Sequence, residues 1–302
     1  MLEFVIMNRP VVSIVTPSYN QGEFIEDTIL SVKNQKYPDV EHIVIDGGSS
    51  DETICLLEQY EGTYNLQWVS EKDDGQSDAI NKGFEMARGE IVAWVNSDDV
   101  YFDTDVIERV VGHFNDSDDE IIYGDQVIID EYSMIKSVDI RPDFDVKQLS
   151  HRVLIGQAAT FFRSEVVVDE KLRTDLDYCM DYEYWLRLSQ DYSFRHVNDI
   201  FAGFRVYDAQ KSNSMAKMSE EFDQIMADYP TLNRKSIYSI ISAIPLEIVR
   251  WTRAVQQTWN IYTQGAELAF DGDCDPLATM VVNVPPDGRD LVKVLNRLRK
   301  SR

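Results

Sequence analysis

The chain has 302 residues, with 53 Asp and Glu against 29 Lys and Arg and a formal net charge of −24. At 44% hydrophobic and 11% aromatic it has enough apolar material for one large core or two modest ones, which excludes a disordered polyelectrolyte. The acidic balance excludes nucleic acid as the main partner, since phosphate contacts need a basic face, and reads instead as a solvating surface suited to high salt.

Taken in chain order, Val11–Thr16 is a β-branched run stopped by Pro17, after which Phe24, Ile25, Ile29 and Val32 recur at helical spacing. His42–Ile45 is a second strand, closed by Asp46-Gly-Gly-Ser-Ser-Asp51; Ser50 and Asp51 can cap a helix in which Ile54 and Leu57 share a face. A strand over Leu66–Val69, a helix over Ser77–Ala87 and a strand over Ile91–Val95 complete the alternation. It implies βαβ units and a mostly parallel sheet with right-handed crossovers. Ligands bind such sheets beyond the C-terminal strand ends, which selects Thr16–Gln21, Asp46–Asp51, Glu71–Asp78 and Asn96–Asp99.

From about Gly124 the alternation weakens. Gln126–Asp130 and Met134–Val138 predict a hairpin, Ala158–Phe162 a strand, and Tyr182–Leu188 a helix with Tyr182, Trp185 and Leu186 inward. After Ser212 the character changes. Met215–Met226 is amphipathic, Ser239–Trp259 is apolar and interrupted by Pro245, and Asp271–Pro276 reads as an acidic linker. In the basic tail Arg289–Arg302, Leu291, Val294, Leu295 and Leu298 share a helical face. That pattern suits peripheral attachment to anionic lipid, or equally packing on the acidic catalytic domain. Cys55, Cys179 and Cys274 are too scattered for a disulfide framework or a metal site. Met1–Met7 carries Glu3 and does not read as a signal peptide. A cytoplasmic protein is expected, with the cytoplasmic face of the cell membrane as a peripheral location.

Three constellations can carry chemistry, each with a plainer alternative. Asn96-Ser-Asp98-Asp99 fits either a divalent cation gripping a diphosphate or a helix N-cap. Asp46–Asp51 fits either close approach to a nucleoside or a tight turn into a helix. Asp181 and Glu183 are either a general base in apolar surroundings or acids favoured by a helix N-terminus. There is no G-x-G-x-x-G, no P-loop and no nucleophile elbow.

Taken together, Thr16-Pro-Ser-Tyr-Asn-Gln21, Asp46-Gly-Gly-Ser-Ser-Asp-Glu-Thr53, Asp74-Gly-Gln-Ser-Asp-Ala-Ile-Asn-Lys-Gly83 and Gly89-Glu-Ile-Val-Ala-Trp-Val-Asn-Ser-Asp-Asp99 strongly resemble the family 2 glycosyltransferases. The resemblance runs from about Pro10 to Ser212. It implies the GT-A fold, a Rossmann-like α/β sheet flanked by helices, and an inverting, metal-dependent transfer of sugar from a nucleotide donor to a hydroxyl in glycan assembly. It implies a catalytic domain over 1–212, with a nucleotide-sugar half to about 124 and an acceptor half over 125–212, followed by a helical extension over 213–302.

Position by position, the resemblance puts Thr16, Pro17 and Tyr19 in the nucleobase pocket and Asp46 on the base or ribose. Gln76 and Asp78 border the donor, Asp98 or Asp99 holds Mn²⁺ or Mg²⁺, and Lys211 touches the diphosphate. Asp181 is the expected catalytic base, with Gln157 and Glu183 on the acceptor side. Asn96 stands where the family has its first Asp, and Tyr207 where many members carry a His. The implied partners are a nucleotide sugar, with a UDP-sugar expected first, and a hydroxyl acceptor that is frequently lipid-linked. The alternatives are a non-catalytic nucleotide-sugar-binding subunit and a sugar-nucleotide nucleotidyltransferase. The latter needs a Gly- and Arg/Lys-rich loop after the first strand, which Pro17-Ser-Tyr-Asn-Gln21 does not supply.

Overall fold

A computed structural model describes residues 11–149, 154–211 and 214–230, together with positions 253, 257, 269, 273 and 274. The first half is the predicted alternation: β1 (Val12–Ser18), α1 (Ile25–Lys33), β2 (Val40–Asp46), α2 (Thr53–Tyr60), β3 (Leu66–Ser70), α3 (Gln76–Met86) and β4 (Ile91–Trp94). β1 is buried along its whole length because both its faces are covered, which is why Val12, Ile14, Val15 and Thr16 do not alternate with charged residues. Helix α3 lies so close to it that a Cβ on Gly83 would sit 2.2 Å from Cγ1 of Val15.

The second half supplies β5 (Val100–Tyr101), α4 (Val106–Asn115), β6 (Ile121–Ile129), β7 (Met134–Asp139), α5 (Val146–Leu149), β8 (Thr160–Arg163), α6 (Ser164–Asp169), α7 (Met180–Leu188), β9 (Phe194–Arg205), α8 (Met215–Asp228) and β10 (Asp273–Cys274). The strand order is β3-β2-β1-β4-β8-β6-β7-β10, with β9 paired to β6 and β5. β1 is parallel to both β2 and β4, so the order reverses at β1 and opens a crevice at the C-terminal ends of these three strands. Beyond β4 the sheet becomes mixed, since β8 runs antiparallel to β4 and β6. The predicted hairpin is β6–β7.

Two cores cover the sheet. One packs α4, through Ile107, Val110 and Phe114, against Ile14, Ala93 and Phe161. The other packs α3, α6, α7 and α8 around Trp94, which stacks on Phe162 and on Trp185 at 5.6 Å. Ile225 and Met226 of α8 are buried in this second core. A domain boundary at residue 212 would therefore cut through packed side chains. The change of sequence character there marks a change from β/α alternation to helix, not the end of the core. Asp273 and Cys274, expected in a linker, pair with Met134 and Ile135 of β7, and the Ala269 N–H donates to the Phe102 carbonyl. Apart from positions 253 and 257, Ser239–Trp259 lies outside the described residues, as does the tail Arg289–Arg302. Among the described residues no helix is long and apolar enough to cross a membrane.

Candidate active site

The loops after β1 and β2 are tied together at the crevice. Asn20, at a left-handed φ of 51°, donates its N–H to Ser49 Oγ at 2.7 Å and accepts the Ser50 N–H on its side-chain oxygen at 2.9 Å. The Asp46 carboxylate accepts N–H bonds from Gly48 and Ser49, the Ser70 hydroxyl at 2.7 Å and the Ser49 hydroxyl. The turn requires Gly48 at φ +83°. A carboxylate offers about four acceptor sites, and the loop fills them. Asp46, expected on the base or ribose, is fully buried and shapes this loop instead of reaching into the crevice. Thr16 points inward, its hydroxyl 2.9 Å from Nε2 of His42, whose Nδ1 lies 2.7 Å from the Tyr64 hydroxyl. Pro17 is buried and Tyr19 is 63% exposed at the rim.

At the end of β4 the side chains form a continuous polar chain. Lys211 Nζ approaches Gln76 Oε1 at 3.4 Å, and Gln76 Nε2 donates to Asn96 Oδ1 at 2.8 Å. Asn96 Nδ2 reaches Asp99 Oδ2 at 3.5 Å. An Asp at position 96 could not donate that bond, which gives a local reason for the departure from the family pattern. Asp99 is buried, with Oδ1 accepting the Arg205 N–H at 2.9 Å. Asp98 is half-buried and accepts the Tyr207 hydroxyl at 3.0 Å. Burial pushes both carboxyls above the ordinary range, and the neighbouring charge of Asp98 pushes Asp99 further; Arg205 works against this in both.

Arg205 holds this loop. Its Nε donates to the Asp98 carbonyl at 2.8 Å, Nη1 to the Asp130 carbonyl and Ser133 Oγ, and Nη2 to Asp27 Oδ2 at 2.8 Å. The guanidinium also lies 4.8 Å from the Phe24 ring centroid. It thereby joins the β4 end to α1 and to the β6–β7 turn.

Asp181 stands in the first turn of α7, which meets the start of α3 where the Ser77 hydroxyl touches Met180 Sδ at 2.8 Å. Burial raises its carboxyl above the ordinary value, against the Tyr182 N–H and the charges of Lys211 and Arg141. Gln157 donates to the Trp94 carbonyl at 2.7 Å, beside Asn96. Glu183 corrects an expectation. Two residues apart on a helix is about 200° around its axis, so Glu183 faces away from Asp181. It is 2% exposed and paired with Arg187 at 3.1 Å, not placed for an acceptor. Asp78 stands in the same relation to Gln76: it accepts the Asp74 N–H and pairs with Lys82 at 3.2 Å. Lys211 also pairs with Asp177 at 2.7 Å.

Among the described residues no three His, Cys, Asp or Glu side chains gather into a metal cage. A hard divalent ion that also binds phosphate oxygens needs only one or two protein carboxylates. Asp98, half-buried, raised by burial and backed by Asp99, fits that donor set; Asp99 is already engaged by Arg205 and Asn96.

Residues 13–164, just over half of the chain, match the family model described as glycosyl transferase family 2. The chain belongs to this family. As a family 2 glycosyltransferase it is 26% identical, over 235 residues, to an uncharacterized glycosyltransferase of Rickettsia typhi, covering 73% of this chain and 71% of that one. Its fold is shared with S. aureus TarS 1–349, solved in complex with UDP-GlcNAc, at a TM-score of 0.61 and 14% identity over 84% of this chain and 73% of that one. The mannosyltransferase PcManGT from Pyrobaculum calidifontis, solved in complex with GDP-Man and Mn²⁺, matches at 0.58 and 16% identity over 97% and 81%. The expected GT-A fold is borne out. In this glycosyltransferase Arg205 is a site residue that no motif role in the sequence singles out. The signal was present, because an Arg closing the apolar run Phe201–Phe204 must be paired if the strand is buried.

Proposed function

We propose that this glycosyltransferase moves a sugar from a nucleoside diphosphate sugar to an acceptor hydroxyl in glycan assembly, by a single inverting displacement with Asp181 as base. The observation that carries the reading is the side-chain chain from Lys211 through Gln76 and Asn96 to Asp99 at the switch point of the sheet, with Asp181 facing Lys211. The loops after β1 and β2 supply the nucleoside side, with Tyr19 at the rim. Asp98, supported by Asp99, would hold a Mn²⁺ or Mg²⁺ ion, which when bound offsets negative charge on the diphosphate. Lys211 adds a cation on the same side. Asp181, its carboxyl raised toward working pH by burial, takes the acceptor proton while that oxygen attacks the anomeric carbon in line with the departing diphosphate. Gln157 borders the acceptor. UDP-sugars are the first donors to test, GDP-sugars the second, since the two fold relatives are solved with one of each.

Asp181→Asn keeps the side-chain shape and removes the base. It should leave UDP or GDP binding within about twofold and lower transfer by about 10²–10⁴-fold, the usual contribution of a positioned base. Near-normal turnover in this variant would remove Asp181 from the role.

A further inference from the structure

Helix α8 lies beyond the stretch that matches the family model, yet it reaches the residues that launch the proposed base. Its Glu221 carboxylate accepts three consecutive backbone N–H bonds: Asp177 at 2.8 Å, Tyr178 at 2.7 Å and Cys179 at 2.8 Å. Cys179 is the N-cap residue of α7 and makes no side-chain capping bond of its own. The free N–H groups that precede a helix are thus satisfied from another helix. Further contacts hold the two helices together: the Cys179 thiol to the Met218 carbonyl at 3.5 Å, the Tyr182 ring against Phe222 at 5.1 Å, and Lys217 Nζ to the Tyr178 hydroxyl at 3.1 Å. Asp181 is the second residue of α7.

We infer that Glu221 is a positioning residue for Asp181, and that α8 is therefore part of the catalytic unit and not of a separable extension. This rests on the reading of Asp181 as base. A helix N-terminus carries a partial positive charge that favours a nearby carboxylate in its ionised form and so weakens it as a base. Glu221 places a negative charge on the N–H groups of that end. The titratable and charged groups facing Asp181 are Cys179 on its own helix, Lys211 after β9 and Arg141 after β7. From α3 the uncharged Ser77 packs on the neighbouring Met180, and from α8 Glu221 sits on the Asp177, Tyr178 and Cys179 N–H groups, with Lys217 behind Tyr178. Burial raises the Cys179 thiol to about 11, and the charges of Asp181 and Glu221 add to that rise, which puts both carboxylates around this cap.

The test uses the full chain as wild type, Glu221→Gln, Glu221→Ala and Asp181→Asn. The Asp181 carboxyl carbon, assigned by its loss in Asp181→Asn, is followed by NMR through a pH titration. Release of UDP from UDP-GlcNAc and of GDP from GDP-Man is measured with Mn²⁺. Glu221→Gln keeps the acceptor oxygens near the N–H groups and removes the charge; it should lower the Asp181 midpoint by about 0.2–0.7 pH unit. Glu221→Ala should lower kcat by about 10²-fold, as a misplaced reacting group does, with nucleotide affinity unchanged. An unmoved Asp181 midpoint in Glu221→Gln overturns the inference, and so does a wild-type kcat in Glu221→Ala. If Glu221→Ala does not fold, or neither donor turns over, the Glu221→Gln titration decides alone. Normal turnover in Asp181→Asn would instead sink the assignment of the base, a separate outcome.

Discussion

Replacing Arg205 by Met keeps most of the aliphatic volume and removes the guanidinium that joins three elements. Four side-chain hydrogen bonds disappear, to the Asp98 and Asp130 carbonyls, Ser133 Oγ and Asp27 Oδ2, together with the contact over the Phe24 ring. Adding each bond separately would overcount, because the groups are held as a unit. Removing one partner of a buried ion pair costs about 3–5 kcal/mol, a large part of the roughly 5–15 kcal/mol that holds a domain folded. At about 2–4 °C per kcal/mol for a unit of this size, the melting temperature should fall by about 6–20 °C. The loss should also reach function. Without the cation, Asp98 and Asp99 lose an influence that works against the burial-driven rise of both carboxyls. The Asp98 carbonyl is also freed from its anchor, so nucleotide affinity in Mn²⁺ should fall more than affinity in EDTA. Arg205→Lys should recover part of the stability through Asp27 and little of the loop order, since an ammonium cannot span the fork. The assay is urea or thermal unfolding alongside calorimetric UDP binding. An Arg205→Met protein that melts within 2 °C (about 1 kcal/mol) of wild type and binds UDP with Mn²⁺ equally well would refute this account of the loop.

Asp98→Asn keeps an acceptor for the Tyr207 hydroxyl and relieves the repulsion with Asp99. The metal-free protein should therefore melt at the same temperature or higher, while Mn²⁺-dependent nucleotide affinity drops by about tenfold or more; equal affinity with and without Mn²⁺ in wild type would contradict the assignment. His42 is buried and its imidazole is pushed down from 6.5 to about 3 by desolvation. The unfolded chain therefore binds a proton that the folded one refuses, and stability present above pH 6.5 is lost as pH falls toward 3. The slope is about 1.4 kcal/mol per pH unit, or about 2 kcal/mol between pH 6.5 and 5. Urea melts at the two pH values check this, and an equal loss in His42→Asn would show that His42 is not its source.

The nucleotide half was legible in the sequence because its signals are local. Strand and helix periods alternate cleanly from Val11 to Val95, and the four polar strand ends fall where the fold puts a ligand crevice. What escaped depended on contacts distant in the chain. Asp46 reads as a ligand contact, but its acceptors are filled by Gly48, Ser49 and Ser70, which only the loop geometry reveals. Glu183 and Asp78 lie within two residues of site positions, and helical phase turns both away. Arg205 and Glu221 act across 107 and 42 residues of sequence on Asp98 and Cys179, beyond the reach of any motif. The packing of α8 past residue 212 was hidden for the same reason: the apolar face of α8 matches a surface assembled from α5 and α7, where Tyr182 bonds the Leu149 carbonyl and Met226 is buried beside it.

A single displacement with Asp181 as base, and no protein nucleophile, inverts the configuration at the anomeric carbon. Proton NMR of the anomeric signal during Mn²⁺-supported hydrolysis or transfer of an α-linked UDP-sugar reads this outcome. The β-anomer should form first, before mutarotation. First appearance of the α-anomer would mean retention and would rule the single displacement out.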